Sequence, residues 1–276
     1  VERRGFASLW MANTRGHDAV TAMAIAGRET SKIEVGTAVT PIQPRHPTAL
    51  AQQALSASAL ARGRFTLGIG LSHKIVIEGS LGLSYAQPAK TMREYLQILA
   101  PLFRGEGAAF KGDLYSSKIE LMMNTAVMPV PLIVAALGPM MLDLAGRYSD
   151  GTVLWMTGPR TIGQHVVPGI GAGAKAAGRP APRIIAGFPV VLSNKPDETR
   201  RKISEILQVY GQLPSYRAMM DREGAASPGD IALVGDAAAL DAAISQVQEA
   251  GATEMISVLL ETEPGAKDRT MDYLQG

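Results

Sequence analysis

The chain has 276 residues, of which 46% are hydrophobic and 19% charged, with a formal charge of +2 and no cysteine. This length admits one large or two ordinary domains, and the apolar share supports a sizeable core rather than a disordered chain. The composition excludes disulfides, thiolate catalysis and Cys-ligated metal, while the scattered basic residues give no sign of a nucleic-acid or membrane partner.

Apolar runs of strand length alternate with segments of helical period. Val1–Gly5 resembles the tail of a helix, and Phe6–Ala12 is the first strand. Asp18 can cap a helix over Ala19–Thr30, and Ile33–Thr40 is a β-branched strand. Pro47 opens a helix running to Leu60, and Arg64–Gly70 is the next strand. A longer connection holds a helix over about Ala89–Phe103 and a loop through Tyr115. Strand Leu132–Ala136, helix Met140–Tyr148 and strand Thr152–Met156 follow. Gly158–Pro168 reads as turn-like and Gly169–Gly178 as a Gly/Ala-rich helix. Strand Ile184–Leu192, helix Pro196–Tyr210, a helical insertion near Ser215–Gly224, a helix from Asp236 to Gly251 and strand Glu254–Leu260 complete the pass. No internal repeat, linker or low-complexity tract interrupts it.

Alternating strands and helices imply parallel βαβ units, because parallel neighbours need a crossover. Seven strands are counted. The expectation is an α/β fold, a (β/α)8 TIM barrel with insertions over 1–276 as a single domain, with the first strand and most of the first helix absent from this chain. An open doubly wound sheet is the rival. No apolar run approaches the roughly 20 residues of a membrane span, and VERRGFASLW lacks a signal-peptide core, so a cytoplasmic protein is expected.

Several stretches are particular as a set: SLWMA (Ser8–Ala12), GTAV (Gly36–Val39), RHPTALA (Arg45–Ala51), RGRFTLGIG (Arg62–Gly70), AALGPMMLDLAGRYSDG (Ala135–Gly151) and DGTVLWMTGP (Asp150–Pro159). Together they resemble the bacterial-luciferase-like superfamily, the luciferase-like monooxygenases, and most closely its coenzyme F420-dependent oxidoreductases. The resemblance implies cofactor contacts at Asn13, Ala38, Val39, Gly70, Leu71, Ser72, Ala136, Leu137, Gly138 and Met140. It also implies a non-prolyl cis peptide at Ala38–Val39 and a phosphate near the Gly138-Pro139 turn. Free N–H groups at a helix start suit such an anion. Glycines at the end of the fourth barrel strand would let a ring approach the backbone.

His73 and His17 are the catalytic candidates, His46 is read as structural and His165 as surface. No histidine pair has metal-ligand spacing, so no metal site is expected. The deazaflavin relatives place an acidic residue then His after strand two, where this chain has Asn13-Thr14. The sugar-phosphate dehydrogenases among them have Glu where this chain has Leu71. Neither Thr nor Leu performs acid–base work at neutral pH, which argues against sugar-phosphate oxidation. Met11, Met122, Met123, Met128 and Met156 are candidates for an apolar substrate pocket. The expected activity is hydride transfer between coenzyme F420 and a small organic substrate, in a homodimer. The alternatives are an FMN-dependent monooxygenase with a reductase partner and a non-catalytic cofactor-binding barrel.

Overall fold

The computed structural model describes residues 1–123, 128 and 130–276. Strand β1 (Ser8–Met11) leads to helix α1 (Ala19–Glu29), whose start Asp18 caps by accepting the Thr21 N–H at 2.8 Å. β2 (Glu34–Thr37) and the two-residue β3 (Thr40–Pro41) replace the single strand expected over Ile33–Thr40. The cis peptide Ala38–Val39 lies between them. α2 (Pro47–Leu60) starts at its proline, and β4 (Phe65–Gly70) is buried throughout.

The connection after β4 carries more structure than its sequence suggests. It contains α3 (Lys74–Gly79), α4 (Pro88–Phe103) and an antiparallel hairpin of β5 (Ala108–Lys111) with β6 (Ser116–Ile119). Buried Glu94 on α4 holds the hairpin turn, accepting N–H bonds from Asp113, Leu114 and Tyr115. β7 (Leu132–Val134), α5 (Pro139–Tyr148) and β8 (Gly151–Trp155) follow as expected.

Gly158–Pro168 is not a turn. α6 (Pro159–Thr161), a π-helical turn over Ile162–Val166 and α7 (Val167–Ala176) form one helical stretch. β9 (Arg183–Leu192) is the longest strand. The segment expected as Pro196–Tyr210 splits into α8 (Pro196–Ile206) and α9 (Gln208–Gln212), and α10 (Pro214–Glu223) follows. The chain continues through α11 (Pro228–Ile231), β10 (Leu233–Gly235), α12 (Ala237–Glu249), β11 (Glu254–Leu259) and α13 (Ala266–Tyr273).

The strands pair in parallel in the order β1-β2-β4-β7-β8-β9-β10, with β3 on β4 and β11 on β9. This is a TIM-barrel-like sheet with helices outside it and insertions between its units. Alternate residues divide between two layers, as the period of a strand requires. Ile133, Val153 and Ile185 pack inside the barrel with Trp10, Ala38, Val39, Ala135 and Ile256. Leu132, Val134, Leu154, Ile184 and Ala186 face outward and join the larger core beneath the helices. Parallel strands bring all their C-terminal ends to one rim, where a barrel of this kind places its chemistry. Among the described residues no helix is long and apolar enough to cross a membrane.

Candidate functional site

The exits of β1, β2, β4 and β7 are neighbours on that rim. The Asn13 N–H donates to the Val39 carbonyl at 3.3 Å, and the Ala38 N–H to the Met11 carbonyl at 2.9 Å. The Asn13 side chain is committed to α1, accepting the Ala19 N–H at 3.0 Å. At Gly70 an added Cβ would stand 2.7 Å from Val39 Cγ2 and 3.3 Å from Ala135 Cβ. Packing against the β2–β3 break is therefore sufficient reason for that glycine, whatever else approaches it.

Beyond β4, Gln43 donates its Nε2 to the Leu71 carbonyl at 2.7 Å, and its buried Oε1 has no partner among the described residues. Ser72 sits at φ 56°, a sparsely populated region for a residue with a Cβ, and Tyr85 donates its hydroxyl to the Ser72 carbonyl at 3.2 Å. Such conformations persist where the surroundings fix them and cluster at functional sites. Half-buried His73 is the next residue, and burial holds its imidazole below its ordinary pKa.

The rim has two Gly-Pro helix starts, and they differ. At Gly158-Pro159 the carboxylate of Glu223, at the end of α10, accepts the Arg160 N–H at 3.1 Å. It also accepts the Thr161 N–H at 2.7 Å and the Thr161 hydroxyl at 2.6 Å. A side-chain anion thus closes that start. At Gly138-Pro139 no side chain among the described residues caps α5, and Gly138 is exposed with no described atom within 4 Å of where a Cβ would be. Ala136 is buried and Leu137 half-buried. His165 places Nε2 2.7 Å from the Leu137 carbonyl, so it is not the free surface residue expected; the π-helical turn carries it there.

Other expectations separate. His46 is structural, its Nδ1 2.7 Å from the Thr48 hydroxyl at the start of α2. His17 is exposed in the β1–α1 loop. The Met140 side chain turns outward to an open groove of about 560 Å³ shared with Arg93, Asp143 and Arg147. The methionines do not converge on a pocket: Met122 is 94% exposed, Met128 covers Gly63 in the turn before β4, and Met156 is buried in the outer core. Among the described residues no group of His, Asp and Glu has the arrangement of a metal centre.

A row of rings crosses the rim. His73 meets Tyr216 of α10 at 5.6 Å between centroids, Tyr216 meets Tyr210 of α9 at 5.2 Å, and Tyr210 meets Trp155 at the end of β8 at 5.9 Å. The row runs from the exit of β4 to the end of β8. Met156, directly after Trp155, is at φ 55°. The sequence signal was slight: Trp155 ends a recognised strand, but nothing in the spacing of Tyr210 and Tyr216 links them to His73.

The family model described as luciferase-like monooxygenase matches residues 1–256. A relative from Beutenbergia cavernae, an F420-dependent glucose-6-phosphate dehydrogenase, is 30% identical over 214 residues, covering 72% of this chain and 63% of the relative. The coenzyme F420-dependent tetrahydromethanopterin reductase of Methanopyrus kandleri superposes with a TM-score of 0.83 at 19% identity, covering 99% of this chain and 90% of that one. The FMN complex of the oxygenating constituent of 3,6-diketocamphane monooxygenase, from a Pseudomonas putida plasmid, gives 0.75 at 16% identity, covering 99% and 88%.

Proposed function

The chain belongs to the luciferase-like monooxygenase family, and from that premise we propose that it is an oxidoreductase transferring a hydride between coenzyme F420 and a small organic substrate. The observation that carries the reading is the contrast between the two helix starts. Where Glu223 supplies a carboxylate, the start is closed; at Gly138-Pro139 the first-turn N–H groups of α5 are left for an external anion. Helix starts favour anions through free N–H donors and the helix dipole.

In this reading Leu137, Gly138 and Met140 hold the cofactor's phosphate, and Ala136 packs beneath them. Asn13, Ala38, Val39, Gly70, Leu71 and Ser72 line the place of its ring at the exits of β1, β2 and β4. His165 fixes the carbonyl of the Leu137–Gly138 peptide and so turns the Gly138 N–H the opposite way, toward the open side. The deazaflavin supplies two-electron hydride chemistry when bound. The protein positions the reactants and excludes water, which a rim poor in titratable groups can do. His73 stays the better catalytic candidate, since exposed His17 lies outside the ring row. The unit is a single domain, acting as a cytoplasmic homodimer without nucleic-acid or membrane partners.

The FMN-bound relative with this fold favours FMN as the second reading. Fluorescence titration with F420 and with FMN distinguishes them. Micromolar or tighter F420 binding is expected. Binding of FMN alone would overturn the reading, and binding of neither would remove the cofactor site.

A further inference from the structure

We infer that the row His73–Tyr216–Tyr210–Trp155 seats an uncharged carbonyl or alcohol substrate, with the Tyr210 and Tyr216 hydroxyls as hydrogen-bond donors to its oxygen. The inference rests on the oxidoreductase reading and narrows it to a substrate class. The rings come from the β4 exit, the end of β8 and the α9–α10 insertion, and so form a wall across several barrel units. Aromatic faces suit flat, apolar partners.

The wall also holds unspent donors. The Trp155 indole Nε1 is buried with no partner among the described residues. Tyrosine hydroxyls that bond within the protein belong to Tyr85 and Tyr273, whereas those of Tyr210 and Tyr216 make no such bond among the described residues. Both hydroxyls belong to partly exposed residues and are free to donate to a substrate oxygen.

Among the described residues, the charged neighbours of the wall are taken up by other partners. Lys74, beside His73, faces Glu78 at 3.8 Å. Arg217, beside Tyr216, donates to Asp221 at 2.8 Å and to the Ala226 carbonyl at 2.9 Å. Arg160 is held by the Arg222 carbonyl. Burial keeps the His73 imidazole below its ordinary pKa and raises the Tyr216 phenol, so both are neutral near pH 7. A phosphate or carboxylate brought against this wall would lose water without gaining a counter-ion.

The test uses acetophenone, its charged counterpart 4-acetylbenzoate and glucose 6-phosphate, titrated calorimetrically into the F420-loaded protein. Acetophenone should bind at least about tenfold more tightly than either anion, a difference of roughly 1.4 kcal/mol. Of the two tryptophans, the Trp10→Phe variant keeps Trp155 alone, whose emission should be quenched saturably by acetophenone. Tyr216→Ala, with unchanged far-UV circular dichroism, should weaken acetophenone about tenfold, and Tyr216→Phe by a few-fold through the lost hydroxyl. Equal or tighter binding of 4-acetylbenzoate or glucose 6-phosphate, no acetophenone binding, or an unaffected Tyr216→Ala would overturn the inference. Failure of F420 to bind is read in its own titration and strikes the cofactor reading instead.

Discussion

A methyl group added at each of the two Gly-Pro pairs would meet opposite surroundings. At Gly158 it would stand 2.3 Å from the Glu223 carboxyl carbon, and at Gly138 it would meet nothing within 4 Å. Gly138 has φ −82° and ψ 158°, an extended conformation that alanine adopts without strain. Gly138→Ala should therefore leave thermal stability unchanged or slightly raised, by up to about 1 kcal/mol from lost freedom in the unfolded chain. Its methyl would occupy the space assigned to the phosphate, so F420 affinity should fall roughly tenfold, or about 1.4 kcal/mol. Gly158→Ala should lower stability by about 1–3 kcal/mol, because Glu223 must leave its three donors. Thermal melts and cofactor titration of both variants decide the matter: an undiminished affinity in Gly138→Ala would place the phosphate elsewhere.

Helices α9 and α10 carry half of the ring row, and Glu223 bolts them to the start of α6. Glu223→Gln keeps one acceptor oxygen and turns an NH2 group on the remaining donors. A loss of about 1–2 kcal/mol in urea unfolding is expected, with a weakened near-UV circular dichroism signal from Tyr210, Tyr216 and Trp155. An unchanged near-UV spectrum would show that the rings are held without the bolt. β4 and β9 are legible in the sequence as continuous apolar runs, and α2 by the proline at its start, because these signals are local. The stretch from Gly158 to Pro168 reads as a turn in the sequence because Gly158, Gly163 and Pro168 punctuate it. The structure absorbs Pro168, which lacks the N–H an α-helix needs, behind a π-helical turn closed from the Val167 N–H to the Ile162 carbonyl. The β5–β6 hairpin is not legible for another reason: its hold is Glu94, 20 residues earlier in the chain than Leu114. The site divides the same way. Gly70, Leu137 and Gly138 stand at strand exits that a motif can mark, whereas Tyr216 meets His73 only through tertiary folding.

Across the whole barrel, β1 and β11 do not pair with each other among the described residues, and every residue of both is half-exposed. Hydrogen bonds between strands therefore do not tie the two flanks of this opening together. A polar link at the N-terminal end of the barrel does. Arg183, first in β9, donates to Glu254, first in β11, through Nε and a terminal nitrogen, both at 2.6 Å. It also reaches across to Glu34, first in β2, at 3.0 and 2.9 Å, and Thr66 of β4 donates its hydroxyl to the same carboxylate. The side chains are only 27–31% exposed, so water screens the link less than an ordinary surface pair. Arg183→Met should cost about 2–4 kcal/mol at pH 7, since two carboxylates then face one another without their cation. Arg183→Lys should lose less, keeping the charge but not the paired geometry on two carboxylates. Urea unfolding of the parent and both variants at pH 7 measures these losses. An Arg183→Met protein as stable as the parent would mean that something other than this charge link joins the two flanks.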